Sequence, residues 1–320
     1  MNWKIVTKDV NLNDPSMKKL FDEAVAAAPV GFVQTDDKGE MVAEDTVAML
    51  PRHPLKGRCR LCGQEADLTK EHIPPKSSGN KLRHTKLTFD DWIRDHLEAN
   101  SKSKHTIEQG GIFGYTLCGK CNSLTGKLYG TEYKLWVERA RGLIDANTIA
   151  QLDKTLGPFG DNLSFGNNED GGVRSGAFVR QVLSGMCSLS GSWDLAEKYP
   201  VLRRIILEQS TEKLPIGLEL GMFIYFGPNV RIHGPQLKVD GKTGIWRWCQ
   251  EIAFPPFAFF MVIASNSKEP GLGLLIDNLT EVSPQEKQIF TGIVEMGFGW
   301  TPYPGDYRSK TAIVASRPVR

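Results

Sequence analysis

Apolar residues recur every three or four positions in five segments of the chain, the spacing that one face of an α-helix requires. The first of these segments follows Asp14-Pro15, a favoured helix start because proline fits the first helical position. Another begins at Thr88, a residue type that caps helices through its side-chain oxygen. The predicted helices are 16–25, a helix from 88, 129–140, 175–189 and 195–207.

The last third of the sequence shows a different pattern. Short runs rich in β-branched and aromatic residues are separated by Gly, Pro, Asn and Lys, which is typical of strands joined by turns. A hairpin is also predicted near the N-terminus, where two short runs flank Asp36-Asp37-Lys38-Gly39. The predicted strands are 31–35, 40–42, 220–226, 245–248, 257–263, 273–276 and 312–315.

These patterns predict an α+β protein of several parts. Residues 1–51 form a lead-in of helix and hairpin, and residues 52–142 form a compact unit with an insert at 80–111. A polar, glycine-rich stretch makes 143–174 a linker or surface loop. Residues 175–320 form a helical and then β-rich domain, for which target recognition or regulation is the expected role.

Composition indicates a folded chain with an uneven charge. Of the 320 residues, 40% are hydrophobic and 24% are charged, so a packed core is expected. The net charge is only +2, yet the segment 52–141 holds seventeen Lys and Arg against ten Asp and Glu. This local excess indicates a polyanionic partner for the segment, although a solvated basic surface explains it equally well.

The sequence shows neither a secretory signal nor a membrane-spanning run. Polar residues follow the first six positions, and the most apolar run, 252–264, is short and contains Pro255 and Pro256. A cytoplasmic protein with no membrane partner is therefore expected, and cytoplasmic thiols stay reduced. For the two isolated cysteines, Cys187 and Cys249, burial as structural thiols is the expectation.

Four clustered cysteines carry the strongest chemical signal. They form two CxxC pairs, each of which folds as a tight turn that can offer two thiolates to one ion. Gly63 and Gly119 provide the flexibility that such turns need. The ion expected at this cluster is a structural zinc. The alternatives are reduced, metal-free cysteines and a redox-active pair. The predicted ligands are Cys59, Cys62, Cys118 and Cys121.

Between the two pairs lies Leu68-Thr69-Lys70-Glu71-His72-Ile73-Pro74-Pro75-Lys76, and the second pair runs on into Asn122 and then Gly126. Together with the CxxC pairs, this arrangement over residues 59–127 resembles the zinc-bearing HNH endonuclease family. The resemblance implies a ββα-metal, treble-clef-like fold, in which a hairpin and a helix hold one catalytic divalent ion. It also implies hydrolysis of phosphodiester bonds in DNA.

The resemblance assigns roles to three residues. His72 occupies the position of the general base, while Glu71 and Asn122 occupy those of the metal ligands. The residue types suit this chemistry, because a neutral histidine can accept a proton from water at neutral pH. Carboxylate and amide oxygens suit Mg²⁺ or Mn²⁺, whereas four thiolates leave no open position on zinc. Two metals are therefore expected, zinc for the fold and Mg²⁺ or Mn²⁺ for catalysis.

Basic residues near this motif are expected to contact substrate phosphates, and DNA is the expected partner. An activating ligand or protein partner that acts through the C-terminal half is compatible with the sequence, and so is a homo-oligomer. The residues assigned to phosphate contacts are Lys76, Lys120 and Lys127.

The loop before the second strand departs from the family pattern. Family members usually have another asparagine there that orients the histidine, but residues 105–111 contain none. Gln109, Asn80 and Asn100 are the candidates for this role. Glu71, in place of the more frequent aspartate, also lengthens the reach to a metal by one methylene.

The motif therefore predicts a metal-dependent DNA endonuclease and, by analogy, a restriction or phage-defence effector. The alternative is a non-catalytic, treble-clef zinc module that binds DNA or protein. In that case His72 is a structural hydrogen-bonding residue, Glu71 a surface carboxylate and Asn122 a helix cap. The two hypotheses differ at His72, which only a nuclease needs for activity.

Overall fold

A computed structural model gives the structure of most of the chain. It includes a short N-terminal part, the segment with the four cysteines and most of the C-terminal half. The described residues are 14–26, 34–35, 41–42, 50–81, 84–86, 106–152, 162–165, 172–191, 194–225, 230–240, 243–267 and 274–293.

The N-terminal helix and hairpin are confirmed. Helix α1 spans Pro15–Ala26, and the Asp14 carboxylate accepts a hydrogen bond from the backbone N–H of Ser16 at 2.8 Å. This bond satisfies one of the free N–H groups at the helix start. Strands β1 (Gln34–Thr35) and β2 (Met41–Val42) form an antiparallel pair.

The cysteine segment contains strands β3 (Lys56–Arg58), β4 (Glu65–His72), β5 (His84–Lys86), β6 (Thr106–Glu108) and β7 (Phe113–Cys118). Three of them, β3, β4 and β7, form an antiparallel sheet with β4 at its centre. The other two, β5 and β6, pair antiparallel within the predicted insert. The helix predicted from residue 88 lies outside the described residues.

A long helical run follows β7. It comprises helix α2 (Gly119–Thr125), a π-helical stretch (Gly126–Gly130) and helix α3 (Thr131–Leu152). The helix predicted over 129–140 is confirmed, and it extends further toward the C-terminus than its pattern indicates.

Part of the predicted linker 143–174 is regular structure instead. Residues 143–152 complete α3, and the leucine and alanine residues there favour a helix. Strand β8 (Asn162–Phe165) pairs antiparallel with a C-terminal strand, Phe290–Ile293. Leucine and phenylalanine alternate with polar residues in β8, a strand pattern that the surrounding glycines and asparagines obscure.

Helix α4 (Ser175–Leu189) matches its prediction, and all of its residues are buried. The single helix predicted over 195–207 is wrong, because two helices occupy this segment: α5 (Leu195–Lys198) and α6 (Pro200–Leu207). Proline disfavours the helical conformation in the residue before it. Tyr199 accordingly has φ −122° and ψ 78°, and the helix is interrupted there.

The C-terminal half contains a five-stranded antiparallel sheet with strands β9 (Glu219–Ile224), β10 (Arg231–Asp240), β11 (Ile245–Phe254), β12 (Phe257–Ser265) and β13 (Leu274–Leu275). Their order is β10–β11–β12–β9–β13, and Phe290–Ile293 is β14. The strands predicted from 220 to 276 all correspond to strands of this sheet, whereas 312–315 lies outside the described residues. Strand β10 escapes prediction because Gly234-Pro235 interrupts its pattern, and a register shift between His233 and Gln236 accommodates both residues.

A continuous cluster of buried side chains joins the cysteine segment to the C-terminal half. Trp136 of α3 stacks on Phe178 of α4 with ring centroids 3.9 Å apart, and Phe178 lies 5.8 Å from Phe259 of β12. Helix α4 thus contacts both the helical run and the C-terminal sheet. The fold is mixed α+β, as predicted, and its sheets are antiparallel. In the described part of the chain, each helix is too short or too polar to cross a membrane.

Candidate functional site

The two CxxC pairs come together as one cluster of four sulfur atoms. All four lie within 4.8 Å of one another, and the sulfurs of Cys62 and Cys118 are 3.9 Å apart. In a tetrahedral site with Zn–S bonds near 2.3 Å, the sulfur atoms are about 3.8 Å apart. The cluster can therefore hold a metal ion such as zinc, in agreement with the prediction.

A tight turn between β3 and β4 shapes the first pair. The backbone N–H of Gly63 donates to the Cys59 carbonyl at 2.8 Å, and the N–H of Cys59 donates to the Gln64 carbonyl at 2.9 Å. Gly63 has φ +77°, a conformation that side chains disfavour. The N–H of Cys118 donates to the Cys59 sulfur at 3.3 Å and so links the second pair to the first.

Hydrogen bonding within the cluster favours a thiolate at Cys59. A hydrogen bond from Cys121, together with the N–H groups of Cys118, Cys62 and Leu61, lowers the pKa of Cys59 to about 4. The pKa values of Cys62 and Cys121 are raised, that of Cys62 mainly by burial and that of Cys121 mainly by its hydrogen bond with Cys59. A divalent cation at the cluster would offset the repulsion between neighbouring thiolates and so favour their charged forms.

Basic side chains fasten the first CxxC pair to the C-terminal half. Arg203 of α6 donates from Nε to the Leu61 carbonyl at 2.9 Å. Arg60 donates from Nη1 to the carbonyl of Ser188, near the end of α4, at 2.5 Å. The cysteine cluster is therefore packed against the helices that follow the predicted linker.

Glu71 points into the protein interior and is only 5% exposed, so the alternative of a surface carboxylate is wrong. Its Oε2 accepts hydrogen bonds from the hydroxyls of Thr116 of β7 at 2.9 Å and Ser188 of α4 at 2.6 Å. Burial raises the pKa of Glu71 to about 7, although both hydroxyls act to lower it. The second carboxylate oxygen, Oε1, has no hydrogen-bond partner among the described residues.

His72, the next residue of β4, lies on the opposite face of the strand. Its Nε2 is 2.9 Å from the carbonyl oxygen of Gly110. A carbonyl can only accept, so Nε2 carries the proton and Nδ1 of the neutral ring has a free lone pair. Burial is the main cause that lowers the pKa of His72, and the charges of Lys70, Lys76 and Arg52 lower it further. The hydrogen bond to Gly110 acts in the opposite direction and raises this pKa. The ring is therefore neutral near pH 7 and can accept a proton at Nδ1.

Asn80 fixes the loop that carries Gly110. Its Nδ2 donates to the carbonyls of Pro74 at 2.7 Å and Ile112 at 2.8 Å, and its Oδ1 accepts the N–H of Ile112 at 2.7 Å. The packing is tight, since a Cβ on Gly111 would lie 2.3 Å from the Asn80 carbonyl oxygen. Asn80 therefore holds the two ends of the insert together, while the Gly110 carbonyl contacts the histidine.

The other two candidates for the missing asparagine have no such part in the described structure. Gln109 is exposed and forms no hydrogen bond with a described residue, and Asn100 lies outside the described residues. Sequence reasoning missed Gly110 because a backbone carbonyl leaves no signature in the choice of residue.

Asn122 lies inside α2, so the alternative that it caps a helix is wrong. Cys118 occupies the N-cap position instead. The Asn122 side chain reaches across to β4, where Nδ2 donates to Thr69 Oγ1 and to the Lys70 carbonyl at 3.0 Å each. Its Oδ1, the atom that could bind a metal, has no hydrogen-bond partner among the described residues.

The residues predicted to be catalytic thus come from one strand and the helix after β7, but each has separate hydrogen-bond partners. A small cavity lies beside Glu71 and His72. The centre of a water molecule can occupy about 10 Å³ of it, so the cavity has room for about one water. Gln181 of α4 lines this cavity, and its buried Oε1 has no hydrogen-bond partner among the described residues. No pattern in the sequence marks Thr116, Ser188 or Gln181 as neighbours of Glu71 and His72.

The three lysines assigned to phosphate contacts are all exposed. Lys76 begins the short 3₁₀ turn after Pro75, whereas Lys120 lies on α2 and Lys127 on the π-helical stretch. None of the three forms an ion pair with a described residue.

Comparison of the whole chain with known proteins leaves this site without a relative. No family model, no curated protein and no solved structure matches the chain. Its functional interpretation depends on the residues and on the geometry of the site.

Proposed function

We propose that this protein is a metal-dependent endonuclease of the HNH type that hydrolyses phosphodiester bonds in DNA. The observation that carries the proposal is the state of His72, whose Nε2–H is bonded to Gly110 and whose Nδ1 is left to accept a proton. A histidine held in this way at the end of a strand fits a general base.

The local architecture supports the proposal. Strands β4 and β7 form an antiparallel pair, α2 follows directly, and Asn122 connects the helix to the first strand. This is the strand–strand–helix order of a ββα-metal fold. The linked motifs of residues 59–127 have the cysteine, histidine and asparagine positions in the same order as the HNH family.

Glu71 and Asn122 would hold a catalytic divalent cation. Their Oε1 and Oδ1 atoms are a carboxylate and an amide oxygen, the ligand types that Mg²⁺ and Mn²⁺ prefer. Such a cation supplies charge stabilisation for the phosphate and for the leaving oxygen. The cysteine cluster is unsuited to this task, because four thiolates leave no open coordination position.

His72 would act on the attacking water. Its Nδ1 accepts one proton as the water oxygen bonds to phosphorus, and the ester P–O bond on the opposite side breaks. The leaving oxygen takes up a proton from solvent. Lys76, Lys120 and Lys127 are suited to contacts with neighbouring phosphates, which position the DNA without reading its sequence.

A second candidate function is a zinc module that binds DNA or protein without cleaving it. It is favoured by the burial of Glu71 and by its bonds to Thr116 and Ser188, which a purely structural carboxylate would also form. In that case Glu71 links β4, β7 and α4, and His72 has no chemical task. The two functions differ in the need for His72 in hydrolysis.

Nicking of supercoiled plasmid tests the proposal. Wild-type protein is expected to nick the plasmid with Mg²⁺ or Mn²⁺, and His72→Ala to lose at least about 100-fold of this activity, since a general base contributes about 10²–10⁴-fold. His53→Ala is the matched control and should be unchanged, because His53 is an exposed residue that precedes the motif. Omission of the divalent cation, rather than addition of a chelator, removes the catalytic metal without stripping zinc.

Zinc content is measured for every sample, so that loss of activity is not confused with loss of the fold. Nicking that disappears in His72→Ala with zinc retained supports a catalytic histidine. Equal nicking by wild type and His72→Ala rejects His72 as the general base. DNA binding by both proteins without cleavage in either metal favours the binding module.

A further inference from the structure

Two hydroxyl groups donate to the same oxygen of the Glu71 carboxylate. Thr116 Oγ1 donates to Oε2 at 2.9 Å, and Ser188 Oγ donates to the same atom at 2.6 Å, whereas Oε1 receives no hydrogen bond from a described residue. Thr116 and Ser188 are both completely buried. The carboxylate is therefore held by one of its two oxygens.

This unequal use of the two oxygens is unusual for a carboxylate with a purely structural role. Buried polar atoms in folded proteins are nearly always hydrogen-bonded, so a structural carboxylate is expected to have partners on both oxygens. Glu71 instead lines the small cavity beside His72 while both donors act on Oε2. The arrangement favours a carboxylate whose Oε1 is kept for another ligand.

The two donors approach Glu71 from different elements of the fold. Thr116 lies on β7, the neighbour of β4 in the sheet, and Ser188 lies near the end of α4, 117 positions along the chain from Glu71. The last torsion of a glutamate side chain is otherwise broadly distributed, so its carboxylate turns easily. Rotation about that bond would break both hydrogen bonds to Oε2, and the two hydroxyls together therefore fix the direction of Oε1.

Arg60 of the first CxxC pair holds both donor residues in place. Its backbone N–H donates to the Thr116 carbonyl at 3.0 Å, and its Nη1 donates to the Ser188 carbonyl at 2.5 Å. Because Arg60 directly follows Cys59, the cysteine turn and the two hydroxyl-bearing residues form one connected unit around Glu71.

We propose that Thr116 and Ser188 are positioning residues for the catalytic divalent cation, because they orient Glu71 so that Oε1 is presented to the ion. This inference rests on the proposed function. Hydrogen-bond partners of metal ligands typically contribute about 10- to 100-fold to metal affinity or activity. Since Ser188 belongs to α4, the metal centre depends on the C-terminal half of the chain as well as on the cysteine segment.

Binding of Mn²⁺ to the zinc-loaded, full-length protein without DNA tests the proposal, with electron paramagnetic resonance as the measurement. Ser188→Ala and Thr116→Val each remove one hydroxyl and retain most of the side-chain volume. Each should weaken Mn²⁺ binding about tenfold or more. Thr116→Ser keeps the hydroxyl and should bind Mn²⁺ as the wild-type protein does.

Ser184→Ala is the matched control for Ser188→Ala. Ser184 is a buried serine one turn earlier on α4, and its Oγ has no hydrogen-bond partner among the described residues. Its replacement removes the same atom from the same helix but leaves Glu71 untouched, so Mn²⁺ affinity should be unchanged. Circular dichroism and zinc content establish that each variant is folded.

Plasmid nicking at increasing Mn²⁺ concentration provides a second measurement. Ser188→Ala should need more Mn²⁺ than wild type, by the same factor as its loss of affinity, and should approach the wild-type rate once Mn²⁺ is saturating. Additional Mn²⁺ does not correct a defect of folding, so this rescue separates positioning from a structural role.

Wild-type Mn²⁺ affinity in both Ser188→Ala and Thr116→Val, or an equal loss in Ser184→Ala, would overturn the positioning role while the nuclease proposal stands. A loss in Thr116→Ser as large as that in Thr116→Val would do the same for Thr116. Mn²⁺ binding that depends on both hydroxyls, without cleavage of DNA in either metal, would reject the nuclease and retain the positioning role. A wild-type protein that binds no Mn²⁺ would reject the metal centre itself, and with it both proposals.

Discussion

Asn80 is the residue on which the placement of the loop beside His72 depends most. Its amide joins the two ends of the insert, with bonds to the Pro74 and Ile112 carbonyls and to the Ile112 N–H. Because Ile112 follows Gly110 by two residues, these bonds also restrain the carbonyl that orients the imidazole. Asn80 is 2% exposed, so water does not readily replace a lost partner.

Replacement of Asn80 with alanine should therefore weaken both stability and activity. The change leaves the Pro74 carbonyl and the Ile112 N–H without the Asn80 side chain, whereas the Ile112 carbonyl keeps its bond from the Ile73 N–H at 3.1 Å. A loss of about 2 kcal/mol in the free energy of unfolding is expected. Urea unfolding measures this loss. At a temperature where the variant is folded, its nicking activity should also fall while its zinc content does not.

Gln109→Ala is the matched control for Asn80→Ala, because Gln109 is exposed in the same loop. Its effect on stability should stay within about 0.5 kcal/mol, as for most surface substitutions. If the two variants unfold at the same urea concentration, the loop does not depend on Asn80.

Individual residues could be predicted from the sequence where they stand at short, fixed spacings. The cysteine pairs and the Glu71-His72 dipeptide show such spacings. Ser188 does not, because it bonds Glu71 from 117 positions away. Serine and threonine are common residues, and nothing in their type marks a distant partner, so only the fold brings Ser188 and Thr116 to the carboxylate.

Among the elements, helix α4 connects the candidate site to the C-terminal half. Ser188 near its end bonds Glu71, and Gln181 in its middle lines the adjacent cavity. Next to Gln181, Arg180 is fully buried and donates hydrogen bonds to five backbone carbonyls. These carbonyls belong to Gly176, Ile205, Ser210, Thr280 and Val282.

Arg180 should therefore contribute strongly to stability. Arg180→Met retains much of the volume but leaves the five carbonyls without their donor, and a loss of about 3 kcal/mol or more is expected. Thermal and urea unfolding measure it. Arg204→Met is the matched control, with a much smaller loss, because Arg204 is exposed and its ion pair with Glu212 lies at the surface. Similar losses for both arginines would contradict a special role for Arg180.

The elements themselves were predicted best where one pattern runs without interruption. Helix α4 has its apolar residues at helical spacing from end to end, and its predicted bounds are confirmed. Strand β10 contains Gly234-Pro235, which a strand accommodates only through its register shift. The interruption at Tyr199 follows from Pro200, a local rule that the longer helical pattern concealed.

For the whole molecule, hydrophobic patterning identifies the elements but not which of them share a core. The stack of Trp136 on Phe178 joins a helix of the cysteine segment to α4, 42 positions away. Periodicity shows that each helix has an apolar face, yet several pairings of those faces satisfy it equally. The arginine bonds to the first CxxC pair escape prediction for the same reason, since long-range contacts between a side chain and a carbonyl leave no pattern.

Removal of the cluster metal should therefore weaken the C-terminal half as well as the cysteine turns. Cys59→Ser is expected to purify without zinc and to lose about 3 kcal/mol or more of stability, because a structural metal contributes directly to folding. Cys249→Ser, a buried cysteine outside the cluster, should retain zinc and is the matched control.

Hydrogen exchange distinguishes a local effect of metal loss from a global one. Leu61 loses its fixed position when the turn opens, so Arg203 loses its acceptor and α6 should exchange faster in Cys59→Ser than in Cys249→Ser. The end of α4 should respond in the same way through the bond from Arg60 to Ser188. Because Ser188 also holds Glu71, metal loss would reach the proposed catalytic carboxylate through the C-terminal half. Unchanged protection of both helices in a zinc-free Cys59→Ser protein would show that the cluster stabilises only its own turns.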